Sequence, residues 1–240
     1  MDHRQSQVHL KPPPPQQIRT SGAALPSASP IPRAPVTAHP TATVADTVIF
    51  HGTHPIAIGA GTIVHPRAKL YSYEGPIVIG ENCIISEKST IGAVPTQPPS
   101  SLSRESRAAE GLPVRISSSV IVGPLATVLP GAHIHSAVTI ETLVTINRRV
   151  DIGAHSKICS GCEVSDNVVI RDWTVVWGFG AGFGQRRRKR ATEKMSSATA
   201  VAQGIQALEG RVIEDARLMV LQKEREALVR LIGSAGGRRR

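Results

Sequence analysis

The stretch DIGAHSKICSGCEV, residues 151–164, contains one histidine and a C-x-x-C spacing within eight residues. Cysteine thiolates and histidine nitrogens are common zinc ligands, and C-x-x-C is also the spacing of many redox-active dithiols. Whether Cys159, Cys162 and His155 serve either chemistry depends on the direction in which each side chain leaves the backbone. That direction is set by the secondary structure that carries them.

A six-residue repeat runs through this part of the chain. Every sixth residue from Ile116 onward is Ile or Val: Ile116, Val122, Val128, Ile134, Ile140, Ile146, Ile152, Ile158, Val164, Ile170 and Val176. Four positions after each of these, the residue is small or β-branched: Val120, Ala126, Ala132, Val138, Val144, Val150, Ser156, Cys162, Val168 and Thr174. Turn-forming pairs, such as the PG at 130–131, lie between them.

The same repeat continues upstream in shorter runs. Its members there are Ile58, Val64, Leu70, Ile79, Ile85 and Ile91, with Thr62, Ala68, Cys83 and Ser89 in the small positions. Val44 and Phe50 fit as a first hexad, and the longer step from Leu70 to Ile79 predicts a three-residue insertion within YSYEGP.

Hexad periodicity is typical of a parallel β-helix, in which three short strands and their turns close one triangular coil. We therefore predict an all-β, left-handed parallel β-helix of hexapeptide repeats. The handedness follows from the known architecture of such prisms, which differs from ordinary right-handed crossovers. Residues eighteen apart should stack, so that Ile116 lies over Ile134 and Val122 over Ile140. The low aromatic content, 3%, suits a narrow prism.

The repeat assigns the two cysteines to different environments. Cys162 occupies a small inward position, whereas Cys159 follows the inward Ile158 and should point outward. We therefore expect the two thiols to lie on opposite sides of the wall, where they cannot share a metal or form a disulfide. His155 falls at a turn and is expected to be exposed.

Enzymes with hexad repeats include acyltransferases and γ-class carbonic anhydrases, and both remain alternatives. The histidines lie at positions 3, 9, 39, 51, 54, 65, 133, 135 and 155, and none of their spacings matches a γ-class zinc site. His133 and His135 are expected to leave the sheet in neighbouring corners instead of forming a chelate. His65 or His155 is a candidate base for an acyltransferase. The residues give no nucleophile–base–orienter set, so we predict a protein that is not an enzyme, with no catalytic, cofactor or metal residues.

Composition divides the chain into five parts. Residues 1–43 contain nine of the eighteen prolines and are predicted to be a disordered tail. The β-helix is predicted over 44–184, with a loop insertion at about 92–115. A basic linker (185–207), an amphipathic helix (208–232) and a basic tail (233–240) follow. The apolar stripe predicted for the helix comprises Val212, Ala216, Met219, Val220, Ala227, Leu228 and Leu231, and its acidic residues, Glu214 included, are placed on other faces.

Charge and hydropathy exclude several classes of function. Residues 44–178 carry 10 Lys and Arg against 11 Asp and Glu, whereas residues 185–240 carry 14 against 6. A neutral centre argues against a nucleic-acid-binding fold. We interpret QRRRKR (185–190) and GGRRR (236–240) as solvated charge, and the alternatives are a nuclear-import signal or an acidic protein partner. No apolar run approaches the ~18 residues of a membrane span, and three cysteines give no disulfide framework. We expect a soluble protein of a reducing compartment.

Residues 44–190 resemble the dynactin subunit 6 family. The resemblance is carried by VHPRAKL and GPIVIGENC within 61–92, by the closing VWG of 168–178, and by the Pro-rich insertion. It implies a non-catalytic left-handed β-helix subunit of the dynactin pointed-end complex, located in the cytoplasm and cytoskeleton, and a C-terminal helix that lies on a face of the β-helix. The implied partners are a second β-helix subunit in a heterodimer, an actin-related protein and, indirectly, dynein with its cargo or adaptors. The alternative is a homotrimeric hexapeptide-repeat enzyme.

Overall fold

Three parallel sheets wind around one apolar core to form a β-helix of about six coils, which confirms the predicted fold class. The computed structural model describes residues 33–94, 111–178, 185–189 and 210–236, and within the last segment the side chains of 214–232. Most of the predicted tail, of the 92–115 loop and of the basic linker lies outside these residues.

Each coil contributes one strand to each sheet. Sheet A contains β1 (Val36–Ala38), β4 (Ile56–Ile58), β7 (Ile77–Ile79), β10 (Val114–Ile116), β13 (His133–Ile134), β16 (Asp151–Ile152) and β19 (Val169–Ile170). Sheet B contains β2 (Thr43–Val44), β5 (Ile63–Val64), β8 (Ile84–Ile85), β11 (Ile121–Val122), β14 (Thr139–Ile140), β17 (Lys157–Ile158), β20 (Thr174–Trp177) and β21 (Arg186–Lys189). Sheet C contains β3 (Ile49–Gly52), β6 (Lys69–Ser72), β9 (Thr90–Ala93), β12 (Thr127–Val128), β15 (Thr145–Ile146) and β18 (Glu163–Val164).

The core consists of the stacked hexad residues, as the periodicity predicts. Ile116 pairs with Ile134, which pairs with Ile152, in parallel register along sheet A. From Ile116 to Val176, every sixth residue is at most 2% exposed. Such columns of β-branched side chains bury area efficiently because identical shapes repeat at the spacing of parallel strands, about 4.8 Å.

Fourteen of the corners in the described segments turn through one left-handed backbone residue, three positions after the inward residue. Gly61, Gly131 and Gly161 supply it in three hexads, with φ between 63° and 81°. Elsewhere it is a residue with a side chain: Arg67, Asn82, Lys88, Ser119, Leu125, Ala137, Leu143, Arg149, His155, Asn167 and Trp173. The ladder of parallel pairs therefore holds in place a conformation that costs about 1–2 kcal/mol for most residues.

All extra residues of the early coils lie at one corner, which we call the C–A corner because it leads from sheet C to sheet A. Inward residues across it are eight apart from Phe50 to Ile58 and nine apart from Leu70 to Ile79, against six in the later coils. The step from Ile91 to Ile116 is 25 residues. The extra residues of these coils therefore lie in YSYEGP and after Gly92.

Both ends of the predicted β-helix need correction. Strand β1 lies within the segment assigned to the disordered tail, yet its residues Val36–Ala38 pair with Ile56–Ile58. At the other end, the basic run does not remain free: Arg186–Lys189 forms β21, which pairs antiparallel with β20 and covers the edge of sheet B. An Arg-rich strand at a sheet edge opposes further strand addition.

Helix α1 spans Gly210–Gly236, four residues beyond the predicted end, and contacts β2 and β5 of sheet B. Most of the predicted apolar stripe is on the wrong face, and of its described side chains only Leu228 lies on the sheltered side. Met219, Val220 and Leu231 are exposed, whereas Glu214 is 2% and Leu221 3% exposed. The side chains on the sheltered side follow a heptad spacing: Glu214, Leu218, Leu221, Arg225, Leu228 and Ile232.

Candidate functional site

The C-x-x-C pair is part of the wall of the β-helix. Cys162 is 1% exposed and its thiol lies 3.1 Å from the carbonyl oxygen of Gly178, which confirms its inward position. Cys159 is half-buried, and both are free thiols. Burial raises the pKa of both thiols, which disfavours the thiolate form that metal binding and redox exchange require. The third cysteine, Cys83, is also free, and burial raises its pKa to about 11.

His155 is half-buried beneath the N-terminal part of α1, which contradicts the expectation of an exposed residue. Its ring stacks on Trp173, with centroids 4.3 Å apart and planes 13° from parallel. Its Nδ1 lies 3.1 Å from Oε1 of the buried Glu214. We call the four residues Trp173, His155, Glu214 and Arg217 the helix clasp, because they join the sheet A–B corner to α1.

Arg217 completes the helix clasp because it binds Glu214 on α1 and, at the same time, two residues of the β-helix. Its Nε donates to both carboxylate oxygens of Glu214 at 3.0 Å. Its two terminal nitrogens donate to Thr139 Oγ1 at 2.6 Å and to the carbonyl oxygen of Ala137 at 2.7 Å. A buried carboxylate is tolerated in this position because a charged donor and further hydrogen bonds compensate its desolvation.

Arg217→Ala is expected to detach α1 without unfolding the β-helix. Removing one member of a buried ion pair costs roughly 3–5 kcal/mol. We expect a cost near the lower end of that range, because Glu214 would still have His155 as a partner. Hydrogen exchange of the α1 amides should then accelerate by about a hundredfold, since each 1.4 kcal/mol is tenfold. The exposed Arg230→Ala on the same helix is the matched control. Unchanged exchange in Arg217→Ala would show that the helix clasp does not hold the helix.

His65, the other candidate base, lies next to the same helix. Burial lowers its pKa, and the carboxylates of Glu224 and Glu87 oppose that effect in part. Its Nε2 is buried and has no hydrogen-bond partner among the residues that the structure describes. Helix α1 therefore contacts His155 through Glu214, and its Glu224 is near enough to His65 to influence the pKa of that histidine.

His133 and His135 lie together on the outer face of sheet A, contrary to the expectation that they diverge. Both flank the buried Ile134, so both point outward, and their ring centroids are 4.1 Å apart. Asp151 on the adjacent strand β16 is the register partner of His133, and its Oδ1 lies 3.1 Å from Nε2 of His135. Burial lowers the pKa of His133, and the neighbouring His135 lowers it further.

Arg148 bridges distant coils at the C–A corner. The sequence predicts a side-chain ion pair between Arg148 and Asp166, but the guanidinium instead makes a bidentate contact with Glu74. Asp166 accepts a hydrogen bond from the backbone nitrogen of Arg148 at 2.8 Å. The hydrogen bond to Glu74 raises the pKa of Arg148. The backbone carbonyl oxygen of Glu74 accepts a hydrogen bond from the N–H of Leu112 at 2.8 Å, so the two insertions are joined at this corner.

Apolar residues at outward positions of sheet B indicate that another element covers this face, which the hexad periodicity alone does not reveal. Ile63 and Ile84 occupy outward positions, directly before the inward Val64 and Ile85, yet they are 0% and 2% exposed. Outward apolar residues at one face of a prism indicate a covering element, here α1. The outward row of sheet A is mixed, with Arg115, His133 and Asp151 between the exposed Val78 and Val169. Sheet C presents a row of three threonines, Thr90, Thr127 and Thr145.

Comparison of the sequence with known proteins supports the resemblance to dynactin subunit 6. The chain is 29% identical to dynactin subunit 6 of Danio rerio over 123 residues, which are 51% of this chain and 61% of that protein. It is 26% identical to dynactin subunit 6 of Nematostella vectensis over 123 residues, or 51% and 64% of the two chains. The match therefore spans less than two thirds of these relatives. No family model matches the chain.

Solved structures share the fold at low sequence identity. A putative acetyltransferase of Bacillus cereus aligns with a TM-score of 0.53 and 16% identity, covering 80% of this chain and 92% of that one. A hexapeptide transferase family protein of Anaplasma phagocytophilum aligns with a TM-score of 0.54 and 12% identity, covering 83% and 92%. At such identities the likeness establishes the hexapeptide-repeat fold alone.

Proposed function

We propose that this protein is a non-catalytic structural subunit of dynactin, in its pointed-end complex. The observation that carries the proposal is the sequence similarity to dynactin subunit 6 over 123 residues. The arrangement of the histidines supports it, because His155 takes part in the helix clasp and His65 is partly buried beside the same helix.

A rigid β-helix can support an assembly through its faces and ends. Helix α1 takes the face of sheet B, and no element covers sheets A and C within the described segments of the chain. In the same segments, strands β1, β2 and β3 each have one neighbouring strand, so the first coil presents unpaired backbone groups. These surfaces are where we place the contacts with a second β-helix subunit and with an actin-related protein.

The cellular role follows from that assembly. As part of dynactin, the protein supports dynein-dependent transport along microtubules and the attachment of cargo or adaptors, in the cytoplasm and at the cytoskeleton. No helix among the described residues is long and apolar enough to cross a membrane.

A homotrimeric hexapeptide-repeat enzyme, an acyltransferase or a γ-carbonic-anhydrase-like protein, is the second candidate. The observation in its favour is the contact between His155 Nδ1 and Glu214 Oε1, at 3.1 Å, because a carboxylate of this kind can orient a catalytic imidazole. Against it, the same Glu214 is 2% exposed and bound by Arg217, as a structural contact requires.

The two candidates predict different masses in solution. Light scattering of the chain co-expressed with the second β-helix subunit of dynactin should give a 1:1 heterodimer, with no turnover of acetyl-CoA or carbon dioxide. A homotrimer that transfers acetyl groups or hydrates carbon dioxide, with that activity lost in His155→Ala, would establish the enzyme instead. Arg230→Ala, exposed on α1, is the matched control.

A further inference from the structure

A compact group of nitrogen and oxygen ligands lies on the outer face of sheet A. One potential ligand atom from each of His133, His135 and Asp151 lies within 4.8 Å of the others. His133 lies on β13 and His135 directly follows that strand, so the two histidines flank the inward Ile134 and share its outer face. Asp151 stands beside His133 on the next strand, β16.

The backbone beneath this group is rigid. The N–H of His133 donates to the carbonyl oxygen of Val150 at 2.8 Å, and the N–H of His135 donates to that of Ile152 at 2.9 Å. The neighbouring residues Ile134 and Ile152 point inward and are fully buried. The ligand-bearing backbone is therefore fixed before any ion arrives, and only side-chain rotations are needed to bring the donor atoms together.

The distances suit a small divalent transition-metal ion. With bonds of about 2.0–2.2 Å, a tetrahedral zinc ion places its ligand atoms about 3.3–3.6 Å apart. The existing distance of 3.1 Å between His135 Nε2 and Asp151 Oδ1 is slightly shorter than this range, so a small side-chain rotation brings the two atoms to the separation that zinc requires. Two imidazoles and one carboxylate are a common zinc ligand set that leaves a coordination position open, whereas Mg²⁺ and Ca²⁺ require mostly oxygen ligands.

The geometry points to a zinc-binding site formed by His133, His135 and Asp151 on the outer face of sheet A. The site lies on a face that α1 leaves uncovered. Its open position can accept water or a donor side chain from a bound partner. Zinc binding does not depend on the proposed role in dynactin, and it is not a claim of catalysis.

Side chains on the neighbouring strands influence the affinity of the site for zinc. Arg115 on β10 is the register partner of His133 on the side away from Asp151, and its positive charge opposes a cation. Val169 on β19 follows Asp151 along the same row and is 66% exposed. Its aliphatic side chain supplies no competing ligand. Arg115→Ala should therefore strengthen zinc binding by about sevenfold, as expected for a unit charge about 7 Å from a doubly charged ion in water-like surroundings.

Isothermal titration calorimetry of the metal-stripped full chain with zinc chloride tests the site. We expect one equivalent to bind, and His135→Gln and Asp151→Asn each to weaken binding by at least about tenfold, since even residues that only orient ligands have effects of that size. The exposed His39→Gln is the control and should bind as the unaltered chain does. Magnesium chloride should give no binding.

X-ray absorption at the zinc edge keeps the test decisive if a variant folds poorly. The zinc complex of the unaltered chain should show nitrogen and oxygen ligands with imidazole scattering. Sulfur ligation would place the ion at the cysteines and overturn the assignment. Absence of stoichiometric binding, or binding that neither His135→Gln nor Asp151→Asn weakens, would overturn it as well.

Discussion

Ile152→Asp is expected to prevent the protein from folding at room temperature. Ile152 is fully buried and stacks between Ile134 and Ile170 in sheet A. Removing such a side chain costs roughly 2–5 kcal/mol, and placing a carboxyl group in a dry core without a partner adds several more. The sum approaches the 5–15 kcal/mol by which a domain is typically stable.

The measurement is circular dichroism with urea denaturation, using Leu143→Asp as the control. Leu143 is 60% exposed and has a left-handed backbone conformation (φ 59°), which aspartate tolerates better than leucine. The control should keep the β-sheet spectrum and a cooperative transition. A soluble Ile152→Asp protein with an unchanged denaturation midpoint would show that the stacking register is wrong.

Gly92→Ala is expected to lower the free energy of unfolding by about 2–5 kcal/mol, the sum of an unfavourable backbone conformation and a steric overlap. Gly92 has φ +85°, and a Cβ atom there would lie 2.0 Å from the carbonyl oxygen of Tyr71. That oxygen belongs to the paired strand β6, so the overlap cannot be relieved by rotating a side chain. The strands of sheet C would have to separate where the long insertion begins.

Gly111→Ala, at the other end of the same insertion, is the matched control. A Cβ atom at Gly111 meets its nearest neighbours only at 3.7 Å, which is ordinary van der Waals contact. Thermal unfolding followed by calorimetry should show a lower midpoint for Gly92→Ala and a midpoint within about 2 °C of the unaltered protein for Gly111→Ala. Equal midpoints would contradict the close approach of β6 and β9.

The repeating core could be predicted because one residue type recurs at one spacing. Each inward position of the regular coils faces the same environment, so every hexad repeats the same selection for Ile and Val. The prediction weakens at the ends, where the environment changes. Ala38 continues the hexad phase before Val44, but it is small and exposed, and the prolines around β1 indicated disorder. An end strand has one free edge, where proline is tolerated.

The helix and the histidine pair could not be predicted correctly for two physical reasons. An amphipathic helix normally buries its apolar stripe, but α1 binds the β-helix through a mixed face in which Arg217 neutralises the buried Glu214. Such compensation depends on Thr139 and Ala137, which are distant in sequence. The error at His133 and His135 was one of strand geometry, since two residues that flank an inward residue share the outer face.

Charge runs and ion pairs also depend on contacts that local sequence does not specify. The run RRRK has no alternation that would mark a strand, and its antiparallel pairing with β20 is a tertiary contact. Arg148 and Asp166 have the spacing of stacked neighbours, but the inserted Glu74 offers a bidentate partner that planar guanidinium groups favour.

Affinity purification of the tagged chain under native conditions, followed by mass spectrometry, tests the proposed role most directly. One bait is the full chain and the other lacks residues 1–32, a deletion that preserves β1 and its pairing with β4. Both baits are predicted to recover the pointed-end subunits of dynactin in near-equal amounts with the tagged chain. Recovery of a homotrimer without dynactin subunits would contradict the account and favour the hexapeptide-repeat enzyme.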